Sequence, residues 1–226
     1  MREAQQGTRT RVLPALLEPQ LPANLRKPKV FCYYTNWSYK RPGMGKFTPE
    51  DIDANLCTHI VFAFASIEDN KLTASEDNDI GDAFTEGTYD RMMRLKEENP
   101  KVKILLAVGG WAFGSEPFRK LTENIFRMNG FVYDAIEFMR KHNFDGLDND
   151  LEGNALALSN FNVFTQELGD SLHAGRYEYS AAIGVGGLWG ANYWENASLA
   201  KLDYMMTMSY GGVGNWNYNT KEDDHT

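Results

Sequence analysis

The chain alternates between short apolar runs and amphipathic stretches. Val30-Phe31-Cys32-Tyr33-Tyr34 is aromatic and β-branched, the composition of a strand. His59-Ile60-Val61-Phe62-Ala63-Phe64-Ala65 is apolar almost throughout, as in strands covered on both faces. Val102 to Val108 is a third run, stopped by Gly109-Gly110. Phe144 to Glu152 is a fourth strand candidate, Tyr177 to Val185 a fifth and Leu202 to Tyr210 a sixth. Helical patterns lie between them. Thr88 to Glu98 opens on a Thr suited to capping and stops before Asn99-Pro100. Phe131, Ala135, Phe138 and Met139 make one helix face, and Phe161, Phe164, Leu168 and Leu172 another. Glu195 to Lys201 reads as a short helix.

A strand–helix series of this kind predicts an α/β fold with a parallel sheet. Six such units suit a doubly wound sheet or part of a (β/α)8 barrel. No Gly-x-Gly-x-x-Gly follows the first strand, which weakens the dinucleotide-binding version. A full barrel needs about 250 residues and eight strands, and the chain has 226 residues in all.

Composition narrows the function. A net charge of −8 without a basic run argues against nucleic acid and anionic membranes as partners. No stretch reaches the roughly 18 apolar residues of a membrane span. Two cysteines, Cys32 and Cys57, exclude a disulfide-dense scaffold and a four-cysteine zinc site. Spacing alone leaves two readings open: one bridge, worth about 3.5 kcal/mol on the chain-entropy model, or two buried thiols. Residues 1–28 carry Arg2, Glu3, Arg9, Arg11 and Glu18, and their one apolar cluster is broken by Pro14. They read as an irregular leader and not as a signal peptide. Asn36-Trp37-Ser38 and Asn196-Ala197-Ser198 are glycosylation triplets, which count weakly toward secretion.

The chemistry concentrates in Phe144-Asp145-Gly146-Leu147-Asp148-Asn149-Asp150-Leu151-Glu152. On a strand, Asp148, Asp150 and Glu152 share one face, with successive members about 6.6 Å apart. Three carboxylates on a buried strand repel one another and lose hydration. A strand serving the fold alone would carry Val or Ile there. The acids also sit at the carboxyl end, where barrel active sites form. A solvated edge and a magnesium site are the alternative readings. A calcium loop is a third, but its twelfth position is Ser159 where a bidentate Glu belongs. A strand that supplies one proton donor and acidic neighbours to tune it suits cleavage of an acetal.

That segment resembles the signature of the family-eighteen glycoside hydrolases, the chitinase family with a TIM-barrel domain. The resemblance extends to Val30–Trp37, Leu56–Phe64, Leu105–Trp111 and Met206–Tyr210. It implies that Glu152 is the general acid/base, and that Asp150 orients the substrate's 2-acetamido group and stabilises an oxazolinium. It further implies that Asp148 tunes Asp150, and that Tyr210 hydrogen-bonds the acetamido group. The nucleophile is then the substrate's own acetamido oxygen, an exception to the two-carboxylate scheme. Substrate-binding candidates are Trp37, Trp111, Gly110 and Tyr33. Cys32 and Cys57 match a disulfide pair of animal members, which implies an extracellular protein. The implied partner is chitin or a chito-oligosaccharide, with no cofactor and no metal.

The chain departs from the family pattern. Leu151 stands for the usual Trp, Gly153-Asn154 for Tyr-Pro, and Gly211 for the Asp after the sixth-strand Tyr. A chitin-binding lectin without turnover is therefore the alternative function. The expected fold is an incomplete TIM barrel of about six of eight βα units. Its domain spans 29–216, followed by a polar tail over 217–226. Such a barrel cannot close, so its first and last strands have open edges and inward residues face water. His59 reads as a buried strand histidine without a catalytic role.

Overall fold

The computed structural model of the protein describes residues 28–150, 160–184 and 196–208. The expected leader, the tail, Glu152 and Tyr210 lie outside the described residues. Six parallel strands run β1 (Phe31–Thr35), β2 (His59–Glu68), β4 (Lys103–Gly109), β5 (Gly146–Asp150), β6 (Glu178–Gly184) and β7 (Tyr204–Met208), hydrogen-bonded in that order. A seventh strand, β3 (Lys71–Ala74), pairs antiparallel with β2.

β3 corrects the sequence reading, which ended the second strand at Ala65. The strand continues to Glu68 and turns back through Asp69 and Asn70, both at positive φ (48° and 61°). Asp and Asn tolerate that region, which a two-residue hairpin turn requires.

Helices cover the outer face: α1 (Thr88–Met93), α2 (Leu95–Glu98), α3 (Glu116–Thr122), α4 (Ile125–Lys141), α5 (Phe161–Ala174) and α6 (Asn196–Leu199). The single helix expected over Thr88–Glu98 is two pieces meeting at Arg94. Thr88 does not cap it: Gly87 is the N-cap, and the Thr88 hydroxyl donates to the Asn78 carbonyl. α4 opens on Asn124, whose side chain accepts from the Phe126 and Arg127 N–H groups, satisfying donors that the first turn orphans. Met128, Phe131, Val132, Ala135 and Met139 form its buried stripe.

Two apolar layers result. The larger lies between sheet and helices and includes Phe62, Ile104, Leu106, Leu147, Phe131, Phe164, Leu168 and Tyr179. The smaller lies inside the curled sheet: Val61, Ala63, Leu105 and Ala107, with Phe31 and Phe64 against them. The sheet curls far enough for its two edge strands to touch through their side chains. Phe31 of β1 and Tyr204 of β7 meet edge to face at 5.0 Å, and His59 packs against both rings. The expectation that inward residues face water therefore holds only in part. His59 is fully buried, with Nε2 3.0 Å from Glu178 Oε2 and Nδ1 2.8 Å from Thr58 Oγ1, consistent with the structural role expected of it. Cys32 and Cys57 are joined in a disulfide, tying β1 to the segment that leads into β2.

Candidate active site

β5 divides the signature into two parts with different work. Phe144 and Asp145 precede the strand. Phe144 is buried against Phe62 and Tyr89. The Asp145 carboxylate accepts from the Ile104 N–H at 2.8 Å and pairs with Lys96 and Lys103, which fixes β5 beside β4. A Cβ on Gly146 would overlap the Glu178 carbonyl of β6. This half of the segment builds the sheet.

Asp148 and Asp150 form the other half. Leu147 faces the helix layer. Asn149 takes the same side, and its amide donates to the buried Tyr179 hydroxyl at 2.6 Å; that bond accounts for a polar residue in an apolar position. Alternation then sends Asp148 and Asp150 to the inside of the curl, as expected from their spacing. Asp148 is fully buried, and Asp150 nearly so at the carboxyl end of the strand.

Two hydroxyls hold Asp148. Tyr33 Oη donates to Oδ2 at 2.9 Å, and Ser180 Oγ donates to Oδ1 at 2.6 Å. Burial pushes the carboxyl up to about 6, against the lowering effect of those two bonds. The sequence singled out Tyr33 but missed Ser180. It is a small polar residue within the Glu178–Gly184 strand and pairs in register with Asp148.

The remaining candidates gather at the same end of the sheet. Gly109 and Gly110 close β4 at φ 118° and 85°, a region where side chains are strained. A Cβ on Gly109 would strike the Asp150 carbonyl, and one on Gly110 the Phe64 ring. The Gly110 N–H donates to the Asp150 carbonyl at 2.8 Å, so its backbone positions the acid strand. Trp111 follows, 55% exposed. Trp37 lies just beyond β1, 40% exposed, and stacks on Phe64 with centroids 6.0 Å apart.

Next to Trp37 is a polar cluster that the sequence did not reveal. Asn36 and Asp79 are both buried. The Asn36 amide donates to Asp79 Oδ2 at 2.8 Å, to Ser75 Oγ at 2.9 Å and to the Phe64 carbonyl at 3.3 Å. Burial raises the Asp79 carboxyl to about 6, against lowering bonds from the Glu76 N–H and Asn36. With its amide engaged, Asn36 does not present the first glycosylation triplet at the surface.

Among the described residues, no group of three His, Cys, Asp or Glu side chains is placed to hold a metal, and no helix is long and apolar enough to cross a membrane.

A parallel βα sheet curled around inward carboxylates at its carboxyl edge is a partial TIM barrel with an acidic rim. The chain belongs to the glycosyl hydrolases family 18, whose description it matches over residues 29–225. Human chitinase-3-like protein 2 is 35% identical over 197 residues, covering 83% of this chain and 49% of that protein. Mouse chitotriosidase-1 is 44% identical over 124 residues, covering 55% of this chain and 25% of that protein. Among solved structures, human YKL-39, a pseudo-chitinase with retained chitooligosaccharide binding, superposes with a TM-score of 0.70 at 34% identity, covering 78% of this chain and 50% of that one. A group IV chitinase from Ostrinia furnacalis superposes with a TM-score of 0.73 at 29% identity, covering 81% and 52%. The chain thus spans at most about half the length of these relatives.

Proposed function

We propose that the chain carries the acidic strand of a secreted chitinase-type hydrolase that cleaves β-1,4-linked N-acetylglucosamine polymers with retention of configuration. The observation that supports this most directly is Asp148, buried behind Asp150 and gripped by Tyr33 and Ser180. An acid kept in a dry, hydrogen-bonded place beside a second acid is suited to tuning that neighbour's charge.

In this reading Glu152 protonates the glycosidic oxygen while the substrate's acetamido oxygen attacks the anomeric carbon. The leaving sugar departs with the proton. Asp150 faces the acetamido nitrogen and offsets the positive charge of the oxazolinium. Water then opens that ring, giving up its proton to Glu152. Tyr210 holds the acetamido oxygen in line. Trp37 and Trp111 offer aromatic faces to sugar rings. The disulfide and the relatives' similarity support an extracellular site of action.

Turnover of a fluorogenic chitobioside by the wild type, set against Glu152→Gln, tests the proposal. A rate drop of about 10³-fold or more is expected for loss of the proton donor together with its base role. Equal rates in the two proteins would overturn it.

A second reading is binding of chito-oligosaccharides without turnover. Gly211 after Tyr210 favours it, as does the similarity to a pseudo-chitinase that retains such binding. Calorimetric binding of tetra-N-acetylchitotetraose with no product release would select it.

A further inference from the structure

The Asn36 cluster lies outside the acid strand, next to Trp37 and Phe64. Asn36 opens a 3-10 turn over Asn36–Lys40 that also carries Trp37. Its side-chain amide is spent inward on three acceptors from two other segments: Phe64 of β2, and Ser75 and Asp79 from the loop after β3. Ser75 Oγ donates to the same Phe64 carbonyl at 2.6 Å. Asp79 is itself fixed, since Oδ2 also accepts from the Glu76 N–H at 3.0 Å, and its backbone carbonyl accepts from the Tyr89 N–H at the start of α1.

The Phe64 ring sits between two features of the site. On one side Trp37 stacks on it, 20° from parallel. On the other it fills the space where a Cβ of Gly110 would lie. Gly110 in turn is bonded to Asp150. The 3-10 turn has no side-chain N-cap; Ser38 ties it to Phe47 and Lys40 to Glu76, but both partners lie in loops, and of these bonds only those of Asn36 reach β2 directly. The two N–H groups of one buried amide, shared among these three acceptors, supply the constraint between turn and sheet.

We propose that Asn36 and Asp79 form a positioning unit that sets the Trp37–Phe64 aromatic platform relative to the acid strand, and so sets affinity for oligosaccharide at that end of the site. The inference rests on the carbohydrate reading for its ligand, but its geometric core does not. Asn36 and Asp79 touch no sugar. Asn36→Asp places an acceptor opposite the Asp79 carboxylate and the Phe64 carbonyl, so the unit comes apart. Ser75→Ala removes one of the three acceptors and is the mild variant.

Two readouts test it. The first is the emission and acrylamide quenching of Trp37, isolated by subtracting Trp37→Phe in each background. The second is the dissociation constant for tetra-N-acetylchitotetraose by calorimetry. In Asn36→Asp the Trp37 signal should red-shift and quench more readily, and affinity should fall roughly tenfold. Ser75→Ala should change both in the same direction by less, and it decides the matter if Asn36→Asp does not fold. Adding Asp79→Asn to Asn36→Asp restores a donor–acceptor pair and should recover part of both signals. Unchanged Trp37 emission and affinities within twofold in folded variants would overturn the proposal. If the wild type binds no oligosaccharide, the carbohydrate reading falls, and the Trp37 signal still decides the positioning role.

Discussion

The Tyr33 hydroxyl reaches from the first strand of the sheet to the carboxylate of Asp148 on the fifth, at 2.9 Å. These residues are 115 positions apart in the chain, and β2 and β4 lie between their strands. The bond therefore crosses the hollow of the curl and links its wall to the acid strand. Tyr33→Phe should destabilise the fold by about 1 kcal/mol, the usual net value of such a bond. It should also raise the Asp148 pKa, because the hydroxyl favours the charged form. The destabilisation should be larger at pH 8 than at pH 5, where the carboxyl is mostly protonated. Urea denaturation at both pH values checks this, and an equal loss at both would contradict it.

Asp148 also gives the protein a pH signature of its own. Its carboxyl is raised from 3.8 to about 6 by burial, so between those values the folded state binds the proton that the unfolded state has released. Stability contributed by this group is present below about pH 4, falls as pH rises to about 6, and stays lost above. The shift corresponds to about 3 kcal/mol. Asp148→Asn should shrink the stability difference between pH 4 and pH 8 by an amount of that order. Asp79 titrates in the same direction, so the comparison is between wild type and variant and not between the two pH values alone.

Reduction of Cys32–Cys57 frees a loop whose ends are 25 positions apart. The chain-entropy model assigns such a loop about 3.5 kcal/mol. The double variant Cys32→Ser/Cys57→Ser should melt well below the oxidised wild type. The reduced wild type should melt close to the variant.

Gly109→Ala tests the contact between β4 and β5. The new Cβ strikes the Asp150 carbonyl at a backbone conformation that only glycine adopts readily. Clash and strain together predict a loss of about 3 kcal/mol or more, measured by thermal or urea denaturation. Gly43 also has a positive φ but faces open space, so Gly43→Ala should cost only the backbone strain and serves as the control.

Much of this was legible in the chain because the chemistry obeyed the period of its element. Apolar runs marked five of the six parallel strands; the remaining one, β5, was marked by the two-residue spacing of its acids, which put Asp148 and Asp150 on one face. β3 was missed because Lys71–Ala74 is short and half polar, and its turn residues, Asp69-Asn70, lack the glycine that usually announces a hairpin. α3 was missed because Glu116–Thr122 has too few turns to show a period. Ser180, Asn36 and Asp79 escaped for another reason. Each acts through partners 28 or more positions away, and a linear pattern carries no trace of that pairing. Asn149, a polar residue on the helix-facing side of β5, is explained by the Tyr179 hydroxyl 30 positions away.

The burial of Asn36 has a further meaning if the chain is made in the secretory pathway. The triplet Asn36-Trp37-Ser38 is then a legitimate target for an oligosaccharyltransferase, but only while the amide still points away from Phe64 and Asp79. A glycan attached in that interval would hold the amide outside, and the neighbouring loop could not close around it. Carbohydrate on Asn36 would thus mark molecules that lost a race between modification and folding, and its occupancy in secreted material should approach zero.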